Sequence, residues 1–196
     1  MGDVAGQAVM KMARHPTPRE DGVPYSVVPK HAIDSMLELA RYSPAGCFVE
    51  VGVYKGGTAY HLNQLATAQS RSLYLYDTFE GIPYTNTNMG DRHKIGDFND
   101  TSYEEVKAAI PEAIITKGIF PASMLQMPPV AFAHIDCDQY QAIIDSVLSL
   151  VPLMVSGGIF LFDDYACLEG ATRAVLELFG EERIEISSAG KAVVTM

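Results

Sequence analysis

Between residues 48 and 162, short apolar runs of strand length, most of them ending on a glycine or an aspartate, alternate with segments of helical period. This alternation restricts the fold more than any other feature. The run 48–53 is apolar except for Glu50 and leads through Gly52, Gly56 and Gly57 into helical spacing that continues to Ala68. A strand over 73–76 follows, then a long polar loop with Gly81, Pro83, Gly90 and Gly96. Thr101 or Ser102 caps a helix reaching Ile110, with Glu105 placed for a capping box. Strands near 113–116 and at 130–135 precede a helix from Gln139 with Ile143, Val147, Leu150 and Met154 on one face. Gly157-Gly158 turns into a strand over 159–162, a helix covers 171–179, and 183–187 with 191–195 forms a hairpin across Ser188-Ala189-Gly190. Upstream, Ile33, Met36, Leu37 and Ala40 recur at helical spacing until Ser43-Pro44-Ala45-Gly46 stops them. Strands alternating with helices predict an α/β fold, a doubly wound and mostly parallel sheet covered on both faces, with the terminal hairpin adding an antiparallel edge strand.

A chain of 196 residues with 48% hydrophobic residues is expected to form a single domain over 1–196. Residues 1–29 carry Pro16, Pro18, Pro24 and Pro29 with little periodicity and read as an irregular arm that either covers a site as a partial lid or frays. The formal net charge of −10, with only 14 Lys and Arg and no cluster of them, offers no footprint for nucleic acid or anionic lipid. A neutral or cationic small ligand is easier to hold. Cys47, Cys137 and Cys167 fit neither a disulfide framework nor a metal-binding C-x-x-C pair, so reduced thiols in a cytoplasmic protein are expected. The longest uncharged run, from Ser146 to Phe162, contains Pro152 and two glycines and falls short of the roughly 20 residues of a bilayer span.

In such a sheet the ligand lies outside the carboxyl ends of the strands. The first strand ends in a glycine turn, Gly52-Val53-Tyr54-Lys55-Gly56-Gly57-Thr58. A dinucleotide fingerprint needs glycine where Tyr54 stands, so close approach of a pyrophosphate is not expected. The helix-terminal N–H groups there suit a carboxylate as well as a phosphate. Asp77 ends the second strand, at a distance along the chain where an acidic residue can take both hydroxyls of a ribose. A nucleoside with an amino-acid-like tail satisfies both features, and S-adenosylmethionine is built that way. Further on, "HIDCDQY" (134–140) and "FLFDDY" (160–165) bring Asp136, Asp163 and Asp164 to two strand ends. Three clustered carboxylates repel unless some protonate or a cation binds, and Mg²⁺ with oxygen ligands resolves the conflict.

"FVEVGVYKGGTA", "LYDTFEGIP", "GDFNDTSYEEV", "KGIFPASM", "HIDCDQY" and "GGIFLFDDYACLEGATRAVLELF" occur in this order over 47–196. Together they resemble the macrocin O-methyltransferase family, class I S-adenosylmethionine-dependent enzymes with a seven-stranded Rossmann-like sheet that methylate sugar hydroxyls of natural products. The first and last motifs are also similar to catechol-type O-methyltransferases. The resemblance implies that Gly52, Tyr54, Gly57 and Thr58 surround the methionine part of the cofactor while Glu50 supports the turn. It also implies that Asp77 binds the ribose beside Thr78 and Phe79, that Gly118, Ile119 and Phe120 flank the adenine, and that Asp136, Asp163 and Asp164 hold Mg²⁺. Two departures stand out. Gln139 occupies the position of the catechol-type lysine base, and the amino-terminal region is shorter than the family's usual lid.

The expected reaction is methyl transfer to a hydroxyl of a sugar or other small natural product. Mg²⁺ assists deprotonation, Asp136 accepts the proton, and His134, two residues earlier on the same strand face, is a second candidate. The polar loop 81–100 supplies side chains suited to a hydroxylated acceptor. The chain leaves room for a homodimer or larger homo-oligomer. Two other classes compete. His134-Ile135-Asp136 reads as the H-x-D of an iron oxygenase, which needs a distal histidine in an all-β barrel. A cofactor-binding protein that has lost catalysis would keep the turn alone.

Overall fold

The computed structural model describes residues 22–196. The first 21 residues, most of the expected arm, lie outside the described residues. Among the described residues, seven strands form one sheet in the order β3-β2-β1-β4-β5-β7-β6. They are β1 (Cys47–Val51), β2 (Leu73–Asp77), β3 (Ile114–Lys117), β4 (Val130–Ile135), β5 (Met154–Phe162), β6 (Glu185–Ile186) and β7 (Ala192–Thr195). β1 to β5 run parallel, and β7 lies antiparallel to both β5 and β6. The hairpin's second strand therefore joins the parallel sheet, and the two-residue β6 forms the edge. The chain reverses strand order between β1 and β4, which makes their carboxyl ends the natural ligand crevice.

Among the described residues, five α-helices cover the sheet: α1 (Lys30–Tyr42), α2 (Gly57–Ala68), α3 (Tyr103–Ala109), α4 (Tyr140–Leu150) and α5 (Glu169–Phe179). Side-chain alternation sorts the core into two layers. Phe48, Leu73, Leu75 and Phe132 pack with residues of α1, α2 and α3, while Val49, Val51, Ile135, Phe160 and Phe162 pack with those of α4 and α5. Burial on both faces is why the central strands read as continuous apolar runs. Among the described residues no helix is long and apolar enough to cross a membrane. All three cysteines are free.

Of the boundaries that differ from the sequence reading, three have a clear local cause. Pro152 ends α4 and starts a short 3-10 turn, so Met154 opens β5 instead of continuing the helix. Gly157-Gly158 makes a bulge within β5: Val130 pairs with Met154, and Phe132 pairs with Ile159. The left-handed φ of 76° at Gly157 lets the strand resume. β1 stops at Val51, because Gly52 adopts φ 89° and leaves the ladder. Ser102 is the cap of α3, accepting from Glu105 N at 3.3 Å. Thr101 instead donates its hydroxyl to the Tyr54 carbonyl, tying the loop to the glycine turn.

Candidate active site

Each strand exit at the crevice is stitched to its neighbour. Gly52 N donates to Tyr76 O at 2.9 Å, Asp136 N to Val51 O at 2.8 Å, Asp163 N to Ile135 O at 3.1 Å, and Gly118 N to Asp77 O at 2.8 Å. Only glycine fits at 52, since a Cβ there would lie 1.8 Å from the Asp136 carbonyl oxygen. Tyr54 (φ 51°) and Gly56 (φ 85°) then wind the turn into α2. Asp77 secures it: Oδ2 accepts from Val53 N at 2.7 Å and Tyr54 N at 2.8 Å, and Oδ1 accepts from Phe79 N at 2.6 Å. An ionised carboxylate offers about four lone-pair positions, so room remains for roughly one further donor. The residue read as a ribose ligand is already the clamp of the turn.

Beneath the turn, Glu50 is fully buried and takes the Thr58 hydroxyl at 2.5 Å. Gly57 faces the arm, where an added Cβ would come within 2.4 Å of Ser26 Cβ. Phe79 is buried edge-on to Tyr103.

At the other side of the crevice the carboxylates converge. One oxygen each from Asp136, Asp163 and Asp164 lies within 4.8 Å of the others. Burial and the charges of Asp163 and Asp164 push the Asp136 carboxyl well above its usual range. Burial, then Asp163, pushes Asp164 up to about 6. Asp163 moves the other way. Its burial is outweighed by His134 and by Lys191, whose ammonium lies 2.9 Å from Oδ2, so it is held below the usual value. Asp164 Oδ2 is buried without a partner. Clustered acids with an orphaned buried oxygen fit a hard divalent cation, which would replace repulsion with shared attraction.

His134 sits one layer below. It pairs in register with Glu50, and its Nδ1 is 3.3 Å from Glu50 Oε1 while Nε2 is 3.9 Å from Asp163 Oδ1. Burial alone would lower its pKa, but the two carboxylates outweigh that and hold it well above the ordinary value. The imidazole thus links the support of the glycine turn to the acid cluster.

A cavity of about 380 Å³ joins the two sides. Of the sequence-predicted residues, Gly52, Tyr54, Asp77, Thr78, Gly118, Ile119, Phe120, Asp136, Asp163 and Asp164 line it. Glu50, Gly57, Thr58, Phe79 and His134 do not; they form the layer behind it. The sequence reading missed Asp138. This residue lines the cavity with φ 62°, which aspartate tolerates better than most residues, and its carboxyl is pushed well up by burial and then by Asp164 and Asp163. The D-x-D spacing of 136 and 138 was its signal. The loop contributes Ile82, Tyr84, His93 and Phe98 to the wall, and His93 Nε2 is 3.6 Å from Asp138 Oδ1. Asp91 anchors that loop by accepting from Tyr140 N and Asn86 N, both at 2.8 Å, and Val27 of the arm reaches the cavity rim.

The family described as Macrocin-O-methyltransferase (TylF) matches residues 30–188. The chain belongs to this family. It is 28% identical over 138 residues, 61% of this chain, to a demethyldecarbamoylnovobiocin O-methyltransferase of Streptomyces niveus, covering 53% of that protein. It is 26% identical over 139 residues, 62% of this chain, to an 8-demethyl-8-(2,3-dimethoxy-alpha-L-rhamnosyl)-tetracenomycin-C 4'-O-methyltransferase of Streptomyces olivaceus, again covering 53%. The chain thus spans about half the length of the curated relatives it matches. Among solved structures, the O-methyltransferase NovP superposes with a TM-score of 0.71 at 22% identity, over 84% of this chain and 78% of that one. Its likeness shows the fold.

Family and fold remove the oxygenase reading. The sheet is doubly wound, not an all-β barrel. Among the described residues, the group that joins His134 and Asp136 is completed by Glu50, not by a second histidine.

Proposed function

We propose that the chain is an S-adenosylmethionine-dependent O-methyltransferase acting on a hydroxyl of a sugar-bearing or similar small natural product, with Mg²⁺ at its acid cluster. One observation carries the reading: the glycine turn, the Asp77 strand end and the three aspartates all open into a single cavity. Its volume is within the usual range for a small-ligand site. Both relatives are named O-methyltransferases, and one of the names carries a rhamnosyl group, which supports the same class of acceptor.

When bound, S-adenosylmethionine supplies an electrophilic methyl carbon, and Mg²⁺ supplies a Lewis acid that lowers the pKa of a hydroxyl. Gly52 and Tyr54 receive the amino-acid part of the cofactor, Asp77 and Thr78 the ribose, and Gly118, Ile119 and Phe120 the adenine. Asp136, Asp163 and Asp164 hold the cation. Methyl transfer is an in-line displacement in which an O–C bond forms as an S–C bond breaks, so the chain must orient the acceptor and remove its proton. Asp136 is engaged by the cation in this arrangement. Asp138, in the cavity wall and outside the trio, takes over its role as proton acceptor. His134 fixes Asp163 and Glu50 from behind, and Ile82, Tyr84 and Phe98 shield the acceptor from water.

Calorimetric titration with S-adenosylhomocysteine, with and without Mg²⁺, tests the assignment. The double variant Asp163→Asn, Asp164→Asn should keep cofactor affinity within about threefold of wild type and lose Mg²⁺-dependent methylation of a glycosylated acceptor by at least about a hundredfold. Undiminished turnover of the variant would eliminate the metal-assisted reading. Cofactor binding without turnover in the wild-type protein across such acceptors would favour a binding protein.

A further inference from the structure

Lys191 stands on the terminal hairpin, far from every motif in the sequence, yet its side chain ends inside the acid centre. Its Nζ donates to the Asp163 carbonyl oxygen at 2.6 Å and to Asp163 Oδ2 at 2.9 Å. The side chain is only 16% exposed. The backbone behind it is locked as well: Ser187 N donates to Lys191 O at 2.9 Å, Lys191 N donates to Ser187 Oγ at 3.1 Å, and Gly190 takes the left-handed φ of 79° that closes the turn. A mobile surface lysine would not be built this way. The turn delivers one fixed positive charge to a centre that holds Asp136, Asp138, Asp163 and Asp164.

We propose that Lys191 is a built-in counter-charge of the acid centre, a positioning residue that shares Asp163 with the divalent cation and thereby limits how tightly that cation is held. The inference rests on the metal reading above. Without a cation, the ammonium offsets part of the repulsion among the four carboxylates and keeps Asp163 oriented. With a cation present, the same ammonium opposes it across one carboxylate. Removing the lysine therefore has two effects of opposite sign. Loss of orientation weakens the centre modestly, and loss of a nearby positive charge strengthens it. For a cation that would share Asp163 with the ammonium, even an effective dielectric near 20 would make the charge effect the larger, worth at least about tenfold in affinity for a doubly charged ion.

The probe is Mn²⁺, titrated into the full chain near neutral pH with the free ion followed by electron paramagnetic resonance; thermal melts of the metal-free proteins run alongside. Lys191→Met should bind Mn²⁺ at least about tenfold more tightly than wild type and melt lower when metal-free. Lys191→Arg, which retains the charge, should stay within about threefold of wild type on the same reasoning. If Lys191→Met does not fold, Lys191→Gln carries the same expectation, because it removes the charge and keeps a donor. Binding by the neutral variant that is equal to or weaker than wild type overturns the counter-charge role and leaves the metal centre standing. Failure of wild type and all variants to bind Mn²⁺ overturns the metal centre and this inference with it.

Discussion

The two sides of the crevice solve the same problem, the strand exit, in opposite ways. At β1 and β2 the freed backbone groups are answered internally: one carboxylate, Asp77, accepts three backbone N–H groups, and Thr58 answers Glu50 below. At β4 and β5 the exits carry acids that face each other, with Asp164 Oδ2 unpartnered. Apart from the buried Glu50 Oε2, which has no hydrogen-bond partner, the first side is finished by the polypeptide and offers a rigid, shaped surface. The second is left electrostatically incomplete, and Lys191 and His134 offset only part of its charge. Preorganisation for a neutral fit and poise for a cation are therefore adjacent but separately encoded.

Gly52 is where the two sides touch, so substituting it should break both. Gly52→Ala places a methyl 1.8 Å from the Asp136 carbonyl oxygen at a backbone φ of 89°. The overlap is with backbone, which cannot rotate away, and the left-handed conformation adds its own cost. A loss of about 4 kcal/mol is expected in urea denaturation, together with loss of both S-adenosylhomocysteine and Mn²⁺ binding. Retention of either ligand at wild-type affinity would mean that the two exits do not depend on their contact.

Asp77 separates the sides instead of joining them. Asp77→Ala leaves the Val53, Tyr54 and Phe79 N–H groups without their acceptor, at a cost of about 3 kcal/mol. Asp77→Asn keeps one amide oxygen and should lose about half as much. Cofactor affinity should fall with stability in both variants, while Mn²⁺ affinity measured on the folded fraction should stay near wild type. A parallel fall in Mn²⁺ binding would show that the cavity titrates as one unit.

The asymmetry also explains what the sequence disclosed. Alternating periods identified the doubly wound sheet, and the acids at the ends of β4 and β5 were visible because a strand followed by Asp has few structural reasons to occur twice. The glycine turn was legible as a turn but not in its parts. Nothing in the sequence states that Gly57 accommodates Ser26 of the arm, or that Asp77 spends its lone pairs on the backbone. Those facts depend on which atoms the folded chain brings together. Glu50 and His134 meet because β1 and β4 are neighbours in register, a pairing that separates them by 84 positions along the chain. Lys191 was invisible for the same reason, since only the insertion of β7 beside β5 carries it to Asp163. Asp138 was the residue within reach of the motif that the reading passed over. Its left-handed backbone is what swings it into the cavity wall.

The smallest of the expected effects concerns the unfinished side alone. Asp164 is raised from 3.8 to about 6, and Asp136 and Asp138 are raised in the same direction. Between about pH 4 and pH 6 the folded protein therefore binds more protons than the unfolded chain, and stability falls as pH rises through that window. His134, raised above its ordinary 6.5, contributes stability that is present below that value and lost as pH climbs through its folded pKa. Asp163 acts in the opposite sense, because its depressed pKa contributes stability above about pH 4 that is lost on further acidification. Metal-free protein should accordingly melt about 3–6 °C higher near pH 5.5 than near pH 7.5, a difference on the order of 1–2 kcal/mol for a chain of this size. Millimolar Mg²⁺ at the higher pH should recover most of the difference, since a cation relieves the repulsion that protonation relieves at the lower one. Asp77 variants, weakened only on the finished side, should keep the same pH dependence on a lower baseline. Melting temperatures that are flat across this range, or unmoved by Mg²⁺, would mean that Lys191 and His134 already balance the centre and that its two sides are alike after all.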